Sequence, residues 1–258
     1  MFIHHMIKTL LTAVYIFFIL QLSVTPQDLT NIKTQADKGD AKSQYLLGLI
    51  YFNGDGVSQD LKEAISWWRK AAKQGDADAQ YSLGLAYFSG KGVQRDLEEA
   101  VTWFRKAAKQ GKADAQCLLG SAYFNAEGVK RNFKMAAKWY IKAAEQGNAY
   151  AQTDLGMMYH DGTGLPRDFK MAVSWWYKAA EKGNARAQFH LGRMYFNGEG
   201  VTKNLLYAYA WINLAAINGW EQAQSLLRYV AQEMTDIQLI EAEKLSHEWS
   251  IKLQKQPQ

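Results

Sequence analysis

The chain has 258 residues, 48% of them hydrophobic and 21% charged, with 30 lysines and arginines against 25 aspartates and glutamates. Only three prolines and many aromatics exclude a collagenous or disordered chain, and a single cysteine excludes both an intramolecular disulfide framework and any multi-cysteine metal site. The net charge of +5 is spread along the sequence rather than gathered in a continuous basic stripe, which argues against nucleic acid as the partner.

The first residues stand apart. From Thr9 to Val24 the run TLLTAVYIFFILQLSV carries no charge, follows Lys8 and ends near Pro26. Its 16 residues fall short of the roughly 20 that a membrane-spanning helix needs. Residues 1–26 therefore read as an export signal, a charged start followed by an apolar stretch. No small-x-small pair lies between Leu20 and Gln27, so an uncleaved signal anchor and a buried N-terminal helix stand as alternatives. The chain is expected to be periplasmic or secreted, touching a membrane only through this segment if it is retained.

Beyond it the sequence repeats. Glycine returns at Gly48, Gly84, Gly120, Gly156 and Gly192, and again at Gly75, Gly111, Gly147, Gly183 and Gly219, with a constant period of 36. Five units fill residues 40–219. Residues 27–39 form an N-terminal partial unit or cap, since Ala36 and Gly39 fall one period before Ala72 and Gly75, and residues 220–258 supply C-terminal capping helices.

Each unit reads as two helices. Ala79, Leu83 and Tyr87 recur at i, i+4 and i+8 with Gly84 beside them, which marks one packed face. Asp96 with Glu99 three residues on is a capping-box pattern opening the second helix, and Asp60, Asn132, Asp168 and Asn204 hold the cap elsewhere. That helix presents Ala100, Trp103 and Ala107 on one stripe and stops at Gly111. A short helix pair cannot bury its apolar faces alone, so stacked copies supply the core. The predicted fold is an all-α solenoid of five helix-turn-helix repeats.

The recurring A-x-A-Q-x-x-L-G-x-x-Y-x-x-G-x-G-V-x-x-D-x-x-x-A-x-x-W-x-x-K-A-A-x-x-G resembles the Sel-one-like repeat, a relative of the tetratricopeptide repeat. MTDIQLIEAEKLSHEW, from Met234 to Trp249, is similar to that family's closing helix, with Thr235 as cap and Gln238 three residues later. The resemblance implies an adaptor or scaffold for protein assembly, and by way of the family's secreted branch it offers a cell-wall-acting or penicillin-binding hydrolase as the alternative. That branch carries a cysteine pair in each repeat; this chain has Cys117 alone. The third unit departs at Ala126, where the others have glycine, so its loop is expected to be the loosest or reshaped if the position requires positive φ.

Candidate chemistry is sparse. Trp67, Trp103, Trp139, Trp175 and Trp211 share one column and read as core, and Gln44, Gln80, Gln116, Gln152 and Gln188 read as bonded to backbone between neighbouring repeats. Lys70, Lys106, Lys142 and Lys178 recur at helix C-termini, where the dipole favours cations. The histidines have no metal-ligand spacing, and Cys117 with His190 lacks a third orienting group, so no catalytic residue, metal or cofactor is expected. What varies is the face of the first helix opposite its repeated residues. By analogy with tetratricopeptide-like solenoids this is a concave groove for a protein or peptide, lined by Tyr45, Leu49, Asp78, Tyr81, Leu85, Asp114, Tyr150, Met157, Arg186, Phe189 and Arg193. Tyr45, Tyr81, Leu49 and Leu85 are expected to form an exposed apolar patch in its early half.

Overall fold

The computed structural model describes residues 25–254, and the expected export signal lies outside them. Among the described residues there are helices and no strands. A leading helix α1 (Pro26–Asp37) is followed by five pairs: α2 (Ala41–Asn53) with α3 (Leu61–Lys73), α4 (Ala77–Ser89) with α5 (Leu97–Lys109), α6 (Ala113–Asn125) with α7 (Phe133–Glu145), α8 (Ala149–Asp161) with α9 (Phe169–Glu181), and α10 (Ala185–Asn197) with α11 (Leu205–Ile217). Helices α12 (Ala223–Gln232) and α13 (Asp236–Gln254) close the chain. The fold is the all-α solenoid that the period implies.

Side-chain caps set the helix starts. Every second helix begins after an Asp or Asn whose oxygen accepts from backbone N–H groups of the first turn, as Asp96 does from Glu99 N at 3.0 Å. The expected capping box at Asp96 is only half made. Instead of reaching back to the cap, the Glu99 carboxylate accepts from the Trp103 indole at 2.8 Å. Complete boxes lie at Thr25 with Asp28 and at Thr235 with Gln238.

First helices end on a left-handed residue: Gly54, Gly90, Gly162 and Gly198 take φ between 71° and 83°. Ala126 takes φ 64°, ψ 42° in their place, with its N–H bonded to Ala122 O like the glycine caps. The third loop is therefore not reshaped; alanine is held in the glycine conformation.

The chain divides into two compact units, one of residues 25–122 with 126–130 and one of residues 123–125 with 131–254. Inside the first, Tyr45, Leu49, Ile65, Trp68, Leu83 and Trp103 share one core cluster. Inside the second, Trp176, Leu191, Met194, Trp211 and Leu214 do the same, with Trp249 and Leu253 of α13 packed against them. The tryptophan column is buried throughout, as expected. Gln44, Gln80, Gln152 and Gln188 are buried too, each donating to a backbone carbonyl eight residues back, on the preceding helix. Gln74 and Gln110 extend the pattern in the first unit by donating to Gln44 and Gln80 at 2.8 and 2.9 Å, and Asn218 does the same to Gln188 in the second. Lys182 stands where that series has an amide and donates to Gly147 O instead, which leaves Gln152 Oε1 without a donor.

Candidate interaction surface

The first-helix face is more closed than the helical wheel suggests. Tyr45, Leu49, Tyr81 and Leu85, expected as an exposed apolar patch, are all buried, Tyr81 to 4% exposure. The wheel treats one helix in isolation, whereas equivalent positions of successive first helices touch. Lys42 Nζ reaches Asp78 Oδ2, one full period on, at 2.9 Å, and the Tyr45 hydroxyl bonds to Ser82. Burial pushes the Tyr45 and Tyr81 phenols above their ordinary pKa, with carboxylates Asp78 and Asp114 adding to the effect, so both stay neutral.

What reaches solvent is a row of charges. Asp78 is held between Lys42 and Lys112, the latter at 2.7 Å. Burial alone would raise its pKa, yet the two lysines outweigh that and hold it below the ordinary carboxylate value. Lys112 was not among the expected groove residues. It is the start of α6, where the other first helices have an acidic or amide cap, and this departure was readable in the sequence. Asp114 lies half-buried beside Tyr81.

In the second unit, Arg186 pairs with Asp154 at 2.7 Å. Tyr150 is half-buried, Met157 packs against the core cluster, and Phe189 is in ring contact with both His190 and Trp220. Arg193 is exposed, with no carboxylate partner among the described residues. Between Arg186 and Arg193 on α10 sits His190, buried and stacked on Trp176 at 4.9 Å. Burial first, then the two arginines and His160, push its pKa down to about 3, so it is a neutral packing group. Cys117 is buried. Lys70 and Lys106, expected only as helix-end charges, also lie over the Trp67 and Trp103 rings at 3.5 and 3.9 Å, and in the second unit Lys178 lies over Trp175 at 4.1 Å.

The Sel1 repeat model matches residues 41–76, 77–112, 113–148, 149–184 and 185–220. A protective antigen present in uropathogenic Escherichia coli strains, displaying an SLR fold, superimposes with a TM-score of 0.77 and 38% identity over 86% of this chain and 49% of that one. The chain thus spans about half that protein's length. A Sel1 repeat protein from Oxalobacter formigenes gives a TM-score of 0.75 and 34% identity over 84% of this chain and 88% of that one. Among curated proteins none matches.

Proposed function

This chain belongs to the Sel1 repeat family, and on that footing we propose that it is an exported, non-catalytic adaptor that binds a protein or peptide through its first helices. One observation carries the reading. In each compact unit an unchanging packed scaffold presents, on its first helices, side chains that differ from repeat to repeat: Lys42, Asp78 and Asp114 in the first, Tyr150, Met157, Arg186, Phe189 and Arg193 in the second. Scaffold positions explain themselves by full burial; of these, Met157 and Phe189 are packed on one side, while Lys42 and Arg193 are exposed and no packing accounts for them. Tyr45, Leu49, Tyr81 and Leu85 support that face from below. Export rests on the uncharged run from Thr9 to Val24; among the described residues no helix is long and apolar enough to cross a membrane.

The test uses the full chain as bait in its native cell, followed by affinity measurement with each captured protein. Hot spots favour aromatic and arginine side chains, and loss of one costs at least about 2 kcal/mol, or roughly thirtyfold in affinity. Arg193→Glu should produce such a loss with an unchanged melting temperature. Leu83→Ala, at a fully buried site, should damage folding and binding together. Tyr81→Ala is not a clean probe, because it removes a core ring. Partners that bind Arg193→Glu as tightly as the parent would remove Arg193 from the surface, and failure to capture any partner would leave a spacer without a groove. Mass measurement of the mature N-terminus checks export: a cytoplasmic protein starting at Met1 contradicts it.

A further inference from the structure

The second unit also carries an aromatic surface that includes none of the residues just described. Tyr177 on α9 and Tyr207 on α11 are 41% and 39% exposed. Ring contacts join them into one patch. Tyr177 stands edge-on to Trp211 at 5.9 Å, and Trp211 tilts against Trp249 of α13 at 4.6 Å. Trp249 and Tyr195 each meet Tyr207 edge-on at 5.3 Å. The Tyr177 hydroxyl bonds to the Glu181 carboxylate at the margin of the patch. The groups acting electrostatically on Tyr177 are Glu181, Tyr195 and Tyr207, and on Tyr195 it is Tyr207; no lysine or arginine is among them.

The first unit shows what the same positions do elsewhere. Three periods earlier, Arg69 stands at the position of Tyr177, Tyr87 at that of Tyr195, and Glu99 at that of Tyr207. There the Arg69 guanidinium lies over the Tyr87 ring, 5.9 Å from its centroid, and donates to its hydroxyl at 2.8 Å. The repeat therefore builds a tyrosine that accepts a guanidinium, and in the first unit the chain supplies one. Among the described residues of the second unit it supplies none, and it adds rings and a carboxylate. Cations are drawn to ring faces, more strongly where water is partly excluded, and a contiguous exposed aromatic patch is otherwise a liability.

We propose that the surface formed by Tyr177, Tyr195 and Tyr207, edged by Glu181, binds an arginine side chain of a basic segment in a partner protein. The guanidinium lies over the rings as that of Arg69 lies over Tyr87, and the Glu181 carboxylate supplies the counter-charge. This surface and the first-helix face share no residue, so either can stand without the other.

The full chain is titrated with a capped Gly-Arg-Gly-Arg-Gly peptide and with its citrulline analogue, following tyrosine ring resonances by NMR. Citrulline keeps the shape of arginine and loses its charge. The arginine peptide should bind saturably at millimolar concentration, the citrulline peptide at least about fivefold more weakly. Glu181→Gln should weaken binding and flatten its salt dependence. Tyr177→Arg should abolish binding by filling the ring from within, with the melting temperature unchanged. Should Tyr177→Arg perturb the fold, Tyr177→Ile, which copies Ile141 at the same position of the third repeat, is to show at least the same fivefold loss. Arg193→Glu should leave peptide binding unaltered, which separates this result from the first-helix reading. No saturable binding by the parent, equal binding of the citrulline peptide, or full binding by the Tyr177 variants would overturn the assignment.

Discussion

Ala126 is the one described non-glycine residue with positive φ, and its conformation is imposed by the loop around it. A left-handed alanine costs on the order of 1–2 kcal/mol, while replacement by glycine returns part of that as unfolded-state entropy. Ala126→Gly should therefore stabilise the protein by about 0.5–1 kcal/mol in urea unfolding, and Gly90→Ala should destabilise it. Equal effects of both would show that the cap does not need left-handed geometry. His190 offers a second test. The unfolded imidazole takes up a proton near pH 6.5, the folded one only near pH 3. Between these values the unfolded state binds more protons, so this residue subtracts stability as pH falls from about 6.5 and has no effect above it. His190→Leu, matching Leu46 and Leu118 at the same repeat position, should make the melting temperature fall less steeply between neutral pH and about pH 4 than it does in the parent. Identical slopes would mean that the histidine is not buried in the neutral form.

A first helix and its second helix approach closely because the first has a glycine at the crossing. A Cβ on Gly156 would lie 2.5 Å from Trp176 Nε1 and 2.6 Å from its Cδ1, and the ring cannot yield, being fully buried with its N–H bonded to Thr153 O at 3.0 Å. Glycine to alanine inside an exposed helix stabilises by about 0.5–1 kcal/mol. Gly156→Ala should do the reverse and cost roughly 1–3 kcal/mol by overpacking, read from thermal unfolding with near-ultraviolet circular dichroism to follow the indole. A neutral or stabilising result would mean that the helices can separate without loss. The period and its glycines made the helix pairs, the tryptophan column and the glutamine bonds legible from sequence alone, because each is set by short-range geometry repeated five times. The solvent-facing surface was not so legible. Tyr45 and Tyr81 alternate correctly for an outward face, yet lie buried because the next first helix covers them, and a wheel drawn for one helix has no neighbour. The aromatic surface was missed for the opposite reason. Its signal, Tyr177 in the column of Arg69 and Tyr207 in the column where Glu99 reads as a cap partner, lay on second helices, outside the first-helix face taken as the variable surface, and only the ring contacts join them to Trp249 beyond the repeats.

At the scale of the whole chain, stability is distributed over neighbours rather than gathered in one centre, since each repeat buries its faces only against the adjoining ones. Trp103 shows what that implies. It is buried in the first unit's core, its indole N–H is satisfied by Glu99, and Lys106 lies over its ring. Trp103→Ala removes all of these together and should cost about 3–5 kcal/mol, whereas Lys91→Ala, at an exposed loop position, should stay within about 0.5 kcal/mol. The location of the loss is as informative as its size. Amide hydrogen exchange should accelerate most in α4 and α5, which flank the cavity, and least in the cluster of α10, α11 and α13, whose contacts the substitution leaves intact. A single cooperative core would instead lower protection everywhere by the same free energy. Uniform acceleration across both units would contradict nearest-neighbour stacking, and equal losses for Trp103→Ala and Lys91→Ala would remove the tryptophan column from the core.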